Sequence, residues 1–448
     1  MDRRTEAAGS GGLGRRLGPF RHRSYLAYWL GVSITSLGTW LQAVAGSIYV
    51  YQLTGSTFLV GVFNFAGFIP ILLFSVWGGQ LSDRFDRRRI VWTTHAASMA
   101  VAAILAWLTI TGAATVVLLI GFVFLLNVLW ALGKPSLLSL VPNIVPRPDL
   151  EDGVALTSLG FQAGQIVGPL IAAGAMATAG AGLAFTINAV TYGAPILAMA
   201  YLRKLDLGGR AAEPRRATGA DDAGRSAAAF VRSNLWLLGL LAGIVVTSTA
   251  MEIQRTVAPG LVSEKLGIAE SNAGLLVAAQ SVGATTAFLL FVQIRKLGWS
   301  RRSAYVGLLA QGGGVLLAAI APNLPLALLG FGFIGLGFGF CFPVLTAAIQ
   351  GATPDALRGR VMAFHQIALL GHRPLTALIL GALATAVSLI AASLVWLAIL
   401  PFGIVAVSIA WRRLPEPPRD GRSERDDRPA GDPAAIETGL AASSLAER

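Results

Sequence analysis

Long apolar stretches recur along this chain at close intervals, with short polar turns between them. In order they lie near 25–50, 58–80, 90–110, 114–136, 154–178 and 183–202, and then near 234–258, 271–294, 303–321, 324–350, 361–386 and 388–411. Each is long enough for a helix to cross a bilayer, which takes about 20 predominantly apolar residues. The pattern predicts an all-α integral membrane protein of twelve transmembrane helices in two six-helix bundles, 25–204 and 234–412. Between them, 205–233 turns to Gly, Ala, Arg and Asp, as a flexible linker should. Residues 1–24 form a basic N-terminal segment, with no short apolar core and cleavage site ahead of the first span, so no cleaved signal peptide is expected. From 413 to 448 the chain is Pro-rich and charged, and is expected to be a disordered tail.

Composition agrees with this pattern. Of 448 residues, 54% are hydrophobic and 13% charged, with a mean hydropathy of +0.66, too apolar to hide in one soluble core. The net charge of +12 would suit a nucleic acid, but the bases sit in short loops and tails rather than along one face. Of the 35 Lys and Arg, Lys134, Arg255 and Arg373 fall within or at the edge of spans and Lys265 in an odd-numbered loop, while the others share one side. By the positive-inside tendency that side is the cytoplasm, so both termini and the even-numbered loops are expected there, in the plasma membrane. The loops at 51–57, 111–115, 179–183 and 386–388 carry no charge, so recognition is expected inside the bundle. The single Cys341 allows no disulfide framework.

The most charged hinge is Gly79-Gln80-Leu81-Ser82-Asp83-Arg84-Phe85-Asp86-Arg87-Arg88-Arg89, between spans two and three. Basic residues at a cytoplasmic helix end suit any multispanning protein. The Gly79-to-Asp83 spacing, the acid within a basic cluster and the position after two spans go further. A glycine here would let the helix end pack closely on a neighbour. The pattern G-x-L-x-D-R-x-x-R-R resembles the signature loop of the major facilitator superfamily. That resemblance implies that Asp83 pairs with groups at the inner end of helix eleven and holds the outward-facing state. Asp83 and Arg87 would then be gating residues, within a motif completed by Gly79, Arg84 and Arg88. Asp86 stands where the general pattern has Gly, which puts the turn geometry in question.

An internal repeat supports a duplicated architecture. Pro148-Asp149-Leu150-Glu151-Asp152-Gly153-Val154 leads into span five, and Pro354-Asp355-Ala356-Leu357-Arg358-Gly359-Arg360-Val361 into span eleven. Pro-Asp supplies a turn and a capping acid for the following helix. Capping alone does not explain why a Gly, an apolar helix and a buried proline, Pro169 or Pro374, recur after both. Span five also carries Gly160, Gly164, Gly168 and Pro169, a spacing that lays a smooth groove down one helix face. This resembles the G-x-x-x-G-P motif of the superfamily's antiporters, which implies export; helix packing alone is the other reading. Over residues 20–411 the chain is similar to the enterobactin-exporter and macrolide-efflux branch, the transmembrane secretion effectors. The likeness rests on Phe20-Arg21-His22-Arg23-Ser24-Tyr25, Asp83 to Arg89, Leu140-Val141-Pro142 with Pro148, and Arg358-Gly359-Arg360-Val361-Met362.

Polar residues within spans supply the remaining candidates. Among 23 Asp and Glu, Glu252 is the one well inside an apolar span, where a carboxylate must be protonated, paired or hydrated. With Arg255 one turn on, it is either a proton carrier or half of a structural pair. His372 and Arg373 fall near mid-membrane, just before Pro374; Arg373 could bind an anionic substrate group, pair with Glu252, or simply hold helices together. Asn127, Gln162 and Gln165 are further cavity candidates, whereas most of Gln42, Asn64, Asn188, Gln280, Gln311, His365 and Gln366 are expected to be interhelical glue. No nucleophile elbow, zinc cluster or phosphate loop occurs, so neither catalysis, a cofactor nor ATP is expected. The expected protein is a secondary transporter, a monomer in the lipid bilayer. It would export an amphipathic small molecule, such as a siderophore or macrolide-like drug, by proton antiport. An importer, a lipid-flipping transporter or a membrane scaffold are the alternatives.

Overall fold

The computed structural model describes residues 18–203, 220–296 and 300–415. Span one is Arg23–Thr54, followed by Thr57–Arg84, Arg87–Ile110, Val116–Leu138, Leu150–Thr178 and Gly180–Arg203. Spans seven to twelve are Leu235–Lys265, Ala273–Lys296, Ser300–Ile320, Leu324–Ala352, Asp355–Ala386 and Leu389–Arg413. These fall within a few residues of the predicted runs, and no strand occurs among the described residues. Eleven of the spans are both long and apolar enough to cross a membrane. Span one has the length, with 32 helical residues, but more Gly, Ser, Thr and Gln. It is enclosed by spans five, six and two, where small residues allow close helix approach and lipid does not select for apolarity.

Turn chemistry sets the helix ends. Gly55 takes the left-handed conformation at φ +60°, which ends span one, and Ser56 caps span two by accepting from the Leu59 amide. Thr115 and Asn323 cap spans four and ten in the same way. Asp149 does not behave as the expected capping acid. Its carboxylate lies 3.1 Å from His22 Nε2 and makes no cap bond, so it fastens the segment before span one to the start of span five. Phe20 packs edge-on against Trp29 there, and Tyr25 Oη donates to the Gly153 carbonyl at 2.7 Å. This accounts for the Phe20–Tyr25 motif.

The linker differs from expectation. Residues 204–219 lie outside the described ones, but Ala220–Ser233 is a helix rather than flexible chain. Alanine is the best helix former, and Ala227 and Val231 give the helix a buried stripe against spans seven and eleven. Phe230 adds an edge-on contact with Trp236, 6.4 Å between centroids. The expected disordered tail lies outside the described residues beyond Pro415.

One end of the bundle carries the turn at Gly55 and the other the turn at Asp86. At the Gly55 end the two halves are in contact. Tyr51 Oη donates to Glu264 at 2.6 Å, the Phe58 amide to Thr385 Oγ1 at 3.2 Å, and Asn64 Nδ2 to Thr256 Oγ1 at 3.3 Å. A methyl group at Gly61 would lie 2.5 Å from the Ala377 carbonyl and 3.3 Å from Gly381 Cα, so spans two and eleven touch backbone to backbone. One apolar core joins Leu41, Val44 and Phe63 of the first half to Ala258, Leu261 and Leu276 of the second. Toward the Asp86 end, the core of Tyr25, Tyr28, Leu137, Val141 and Met199 belongs to the first half alone. Among the described residues the contacts that join the halves gather at the Gly55 end, and toward the Asp86 end the halves part.

Candidate functional site

Where the halves begin to part, span seven presents a polar face. Thr247 and Gln311 exchange two hydrogen bonds at 2.9 and 3.0 Å, and Ser248 lies 3.3 Å from His372 Nε2. One turn on, Glu252 is fully buried and neither carboxylate oxygen has a hydrogen-bond partner among the described residues. Arg255 follows, with its guanidinium 5.1 Å from the centroid of Phe68 and 5.3 Å from that of Trp40. From span eleven, Arg373 comes over the same Phe68 ring at 5.6 Å. The Nε atoms of both arginines are buried without acceptors. No ion pair joins Glu252 to either arginine among the described residues, so the expected structural pair is not formed in this state.

Span eleven is shaped for this placement. Its first part, Asp355–Gln366, gives way to a π-helical turn, Ile367–Gly371, and the helix restarts at Arg373 with Pro374 in its first turn. Proline there has no amide to leave unpaired, and a π turn re-aims the side chains beyond it. Arg373 consequently faces span two and is 8% exposed. Both partner rings come from the first half, so the cluster straddles the junction between the halves.

The other candidates separate into packing groups and groups beside the gap. Gly160, Gly164 and Gly168 face span one: an added methyl at Gly164 would lie 2.7 Å from the Leu37 amide, and at Gly168 2.9 Å from the Leu37 carbonyl. Together with Pro169, which is buried in the same helix, they make the expected groove, and span one fills it. Gln165 uses its backbone carbonyl to accept from Ser281 of span eight at 3.0 Å. Gln162, nearly one turn toward the Asp86 end, is exposed. Asn127 donates to its own helix at Val123, 2.9 Å. The glue assignments fit the observed bonds, with Gln42 paired to Asn188, Asn64 to Thr256, and His365 to Thr346.

In the signature loop, span two continues to Arg84 and the turn is only Phe85-Asp86. Asp86 caps span three by accepting from the Arg88 amide at 2.8 Å, with φ −59°, so glycine is not required. Arg87 and Arg88 donate to the Ser139 and Leu202 carbonyls at 3.3 Å each, at the ends of spans four and six, where cations complement the helix dipole. Arg84 and Asp83 are exposed, and Asp83 has no hydrogen bond or ion pair among the described residues. The close helix approach expected at Gly79 is made by Gly78, where a methyl would lie 3.0 Å from Leu132 Cα; Gly79 has nothing within 4 Å.

Sequence reasoning missed Phe68 and Trp40, since aromatic residues in an apolar span give no sign of facing a cation. It also missed the task of Lys265, whose Nζ donates to the Ala318 carbonyl at 3.4 Å and to that of Ala319, closing the end of span nine.

The solved structures that share this fold include a bacterial homologue of the human lysosomal transporter Spinster in an inward-facing and occupied conformation, with a TM-score of 0.67 at 12% identity over 88% of this chain and 97% of that one. The nucleoside transporter NupG gives 0.65 at 13% identity over 87% and 99%. Among curated relatives, the multidrug efflux pump Tap of Mycobacterium tuberculosis is 27% identical over 84% of this chain and 91% of its own. The enterobactin exporter EntS of Shigella boydii is 26% identical over 76% and 80%. The staphyloferrin A transporter of Staphylococcus aureus is 28% identical over 35% of this chain, which spans 40% of that relative's length. The profile of the family described as transmembrane secretion effector matches residues 15–430. The chain is thus a multi-pass membrane transporter rather than an enzyme, and it belongs to the transmembrane secretion effector family of the major facilitator superfamily.

Proposed function

We propose that this protein exports an amphipathic small molecule by alternating access, coupled to protons moving the other way through Glu252. The observation that carries the reading is the enclosure of Glu252, without a hydrogen-bond partner, where the halves separate. An ionised carboxylate so placed bears a desolvation cost that proton uptake removes, and the cost changes when the halves rock and water reaches the group. Such a group lets a proton gradient bias one conformation over the other.

On the positive-inside orientation, the Asp86 end is cytoplasmic and both termini lie there. The halves are then closed outside and open inside, the state that accepts a substrate from the cytoplasm. An unpartnered Asp83 fits this state, because its lock on span eleven would form only when the cytoplasmic side closes. Relatives named as an efflux pump and an exporter favour the outward direction. Siderophores and macrolide-like drugs are the substrates to try first.

Inverted vesicles with an acidic lumen test the proposal. The wild type should accumulate a substrate from a panel of siderophores and drugs, and a protonophore should abolish the accumulation. Accumulation that ignores the protonophore removes proton coupling, and movement only in the reverse direction makes the protein an importer.

A further inference from the structure

We infer that the substrate carries an anionic group, a carboxylate, sulfonate or phosphate, and that Arg255 and Arg373 beside Phe68 receive it. This rests on reading the gap between the halves as the transport path. The cluster holds two guanidinium groups and one carboxylate, so positive charge remains uncompensated even with Glu252 ionised. The two Nε atoms have no acceptor, and Arg373 is more than nine-tenths buried. Arginine N–H groups taken out of water normally meet carboxylates or carbonyls; these two guanidinium groups lie over aromatic rings, with centroids 5.1 and 5.6 Å away at Phe68 and 5.3 Å at Trp40.

A ring face attracts the guanidinium charge but accepts no conventional hydrogen bond from its N–H groups, which stay available to a planar or tetrahedral oxyanion. Phe68, Trp40 and Arg255 are only half-buried, so a ligand in the gap can reach them. The same rings offer apolar faces to the rest of an amphipathic molecule. A cationic ligand would instead meet like charge, and a neutral one would leave the guanidinium charge uncompensated. Since the arginines come from the second half and the rings from the first, an anion bound here is sensed by both.

The test compares three probes of one shape on the full-length protein in lipid nanodiscs: naphthalene-2-sulfonate, 2-naphthalenemethanol and 2-naphthylmethylammonium. Calorimetry should show the sulfonate binding at least about tenfold more tightly than either other probe, the scale of one charge-assisted hydrogen bond. Arg373→Gln and Arg255→Gln should each lose about that factor, and Arg373→Lys should restore part of it. Glu252→Gln should tighten sulfonate binding, because it removes a carboxylate whose charge repels an anion at the neighbouring arginines, an effect that a purely structural role for the arginines would not produce. Equal binding of the three probes overturns the inference, and so does sulfonate affinity that survives Arg373→Gln in protein with wild-type melting. If Arg373→Gln fails to fold, Arg255→Gln carries the same two outcomes. Transport separates this inference from the one beneath it. A sulfonate that binds through the arginines but does not move with a pH gradient keeps the anion site and removes the antiporter. Gradient-driven movement of the ammonium probe, unaffected by the sulfonate, keeps the antiporter and removes the anion site.

Discussion

Tyr51 and Glu264, 213 residues apart in sequence, are joined by a 2.6 Å hydrogen bond that ties span one to the end of span seven. It crosses the halves at their closed end, so it should exist only while that end is shut. Tyr51→Phe removes it at almost no change in volume, at a cost of about 1 kcal/mol to the closed state. The ratio of closed to open should fall roughly fivefold. A cysteine placed at Asn64 should then react faster with a reagent added from the Gly55 side; an unchanged rate means the bond does not hold the closure.

Asp83→Asn should leave expression and melting temperature unchanged, since Asp83 is exposed with no partner among the described residues, and surface substitutions of this kind stay within about 0.5 kcal/mol. Transport should nevertheless fall if, as proposed, Asp83 is the acid that locks the Asp86 end in the alternative state. Cysteine accessibility of the gap from that side should rise in turnover. If it does not, Asp83 serves only as a topological anchor.

Glu252→Gln should abolish accumulation driven by a pH gradient while leaving downhill exchange partly intact, since Gln imitates a permanently protonated carboxyl. Vesicle uptake of a transported substrate is the measurement. Wild-type accumulation by this variant would move the coupling role to His372 or His365.

Two glycine pairs separate packing from motif. Gly164→Ala should destabilise by about 1–3 kcal/mol, because the new methyl meets backbone of span one. Gly174→Ala, in the same helix with nothing within 4 Å, should be neutral or slightly stabilising. Thermal unfolding in detergent compares them directly.

At the signature loop the same logic predicts that Gly78→Ala lowers thermal stability, since its methyl would meet Leu132 and the Ala131 carbonyl, whereas Gly79→Ala does not. Loss of transport in Gly79→Ala without loss of stability would assign Gly79 to gating. Loss of both would mean that spans two and four approach more closely at Gly79 in another state.

The spans were legible because a bilayer demands continuous apolar runs, and every predicted run is a helix within a few residues. Glu252, Arg255 and Arg373 stood out for the same reason, as charges where charge is costly. Their association around Phe68 was not legible. It depends on the π turn before Arg373 and on the approach of Gly61 to Gly381, and neither leaves a mark in hydropathy. The linker helix was obscured by composition, because Ala beside Gly and Asp reads as loop until Ala227 and Val231 are seen to be buried.

His22 bound to Asp149 and the helix Ala220–Ser233 resting on spans seven and eleven also fix two reference points. Arg21 is exposed on a segment carried by the first half, and Arg232 is exposed on a helix carried by the second. The native Cys341 is buried. Cysteines introduced at Arg21 and Arg232 can therefore take a donor and an acceptor dye with little competition from the native thiol. The distance between the dyes becomes a ruler for the rocking of one half against the other, readable molecule by molecule without knowledge of the substrate.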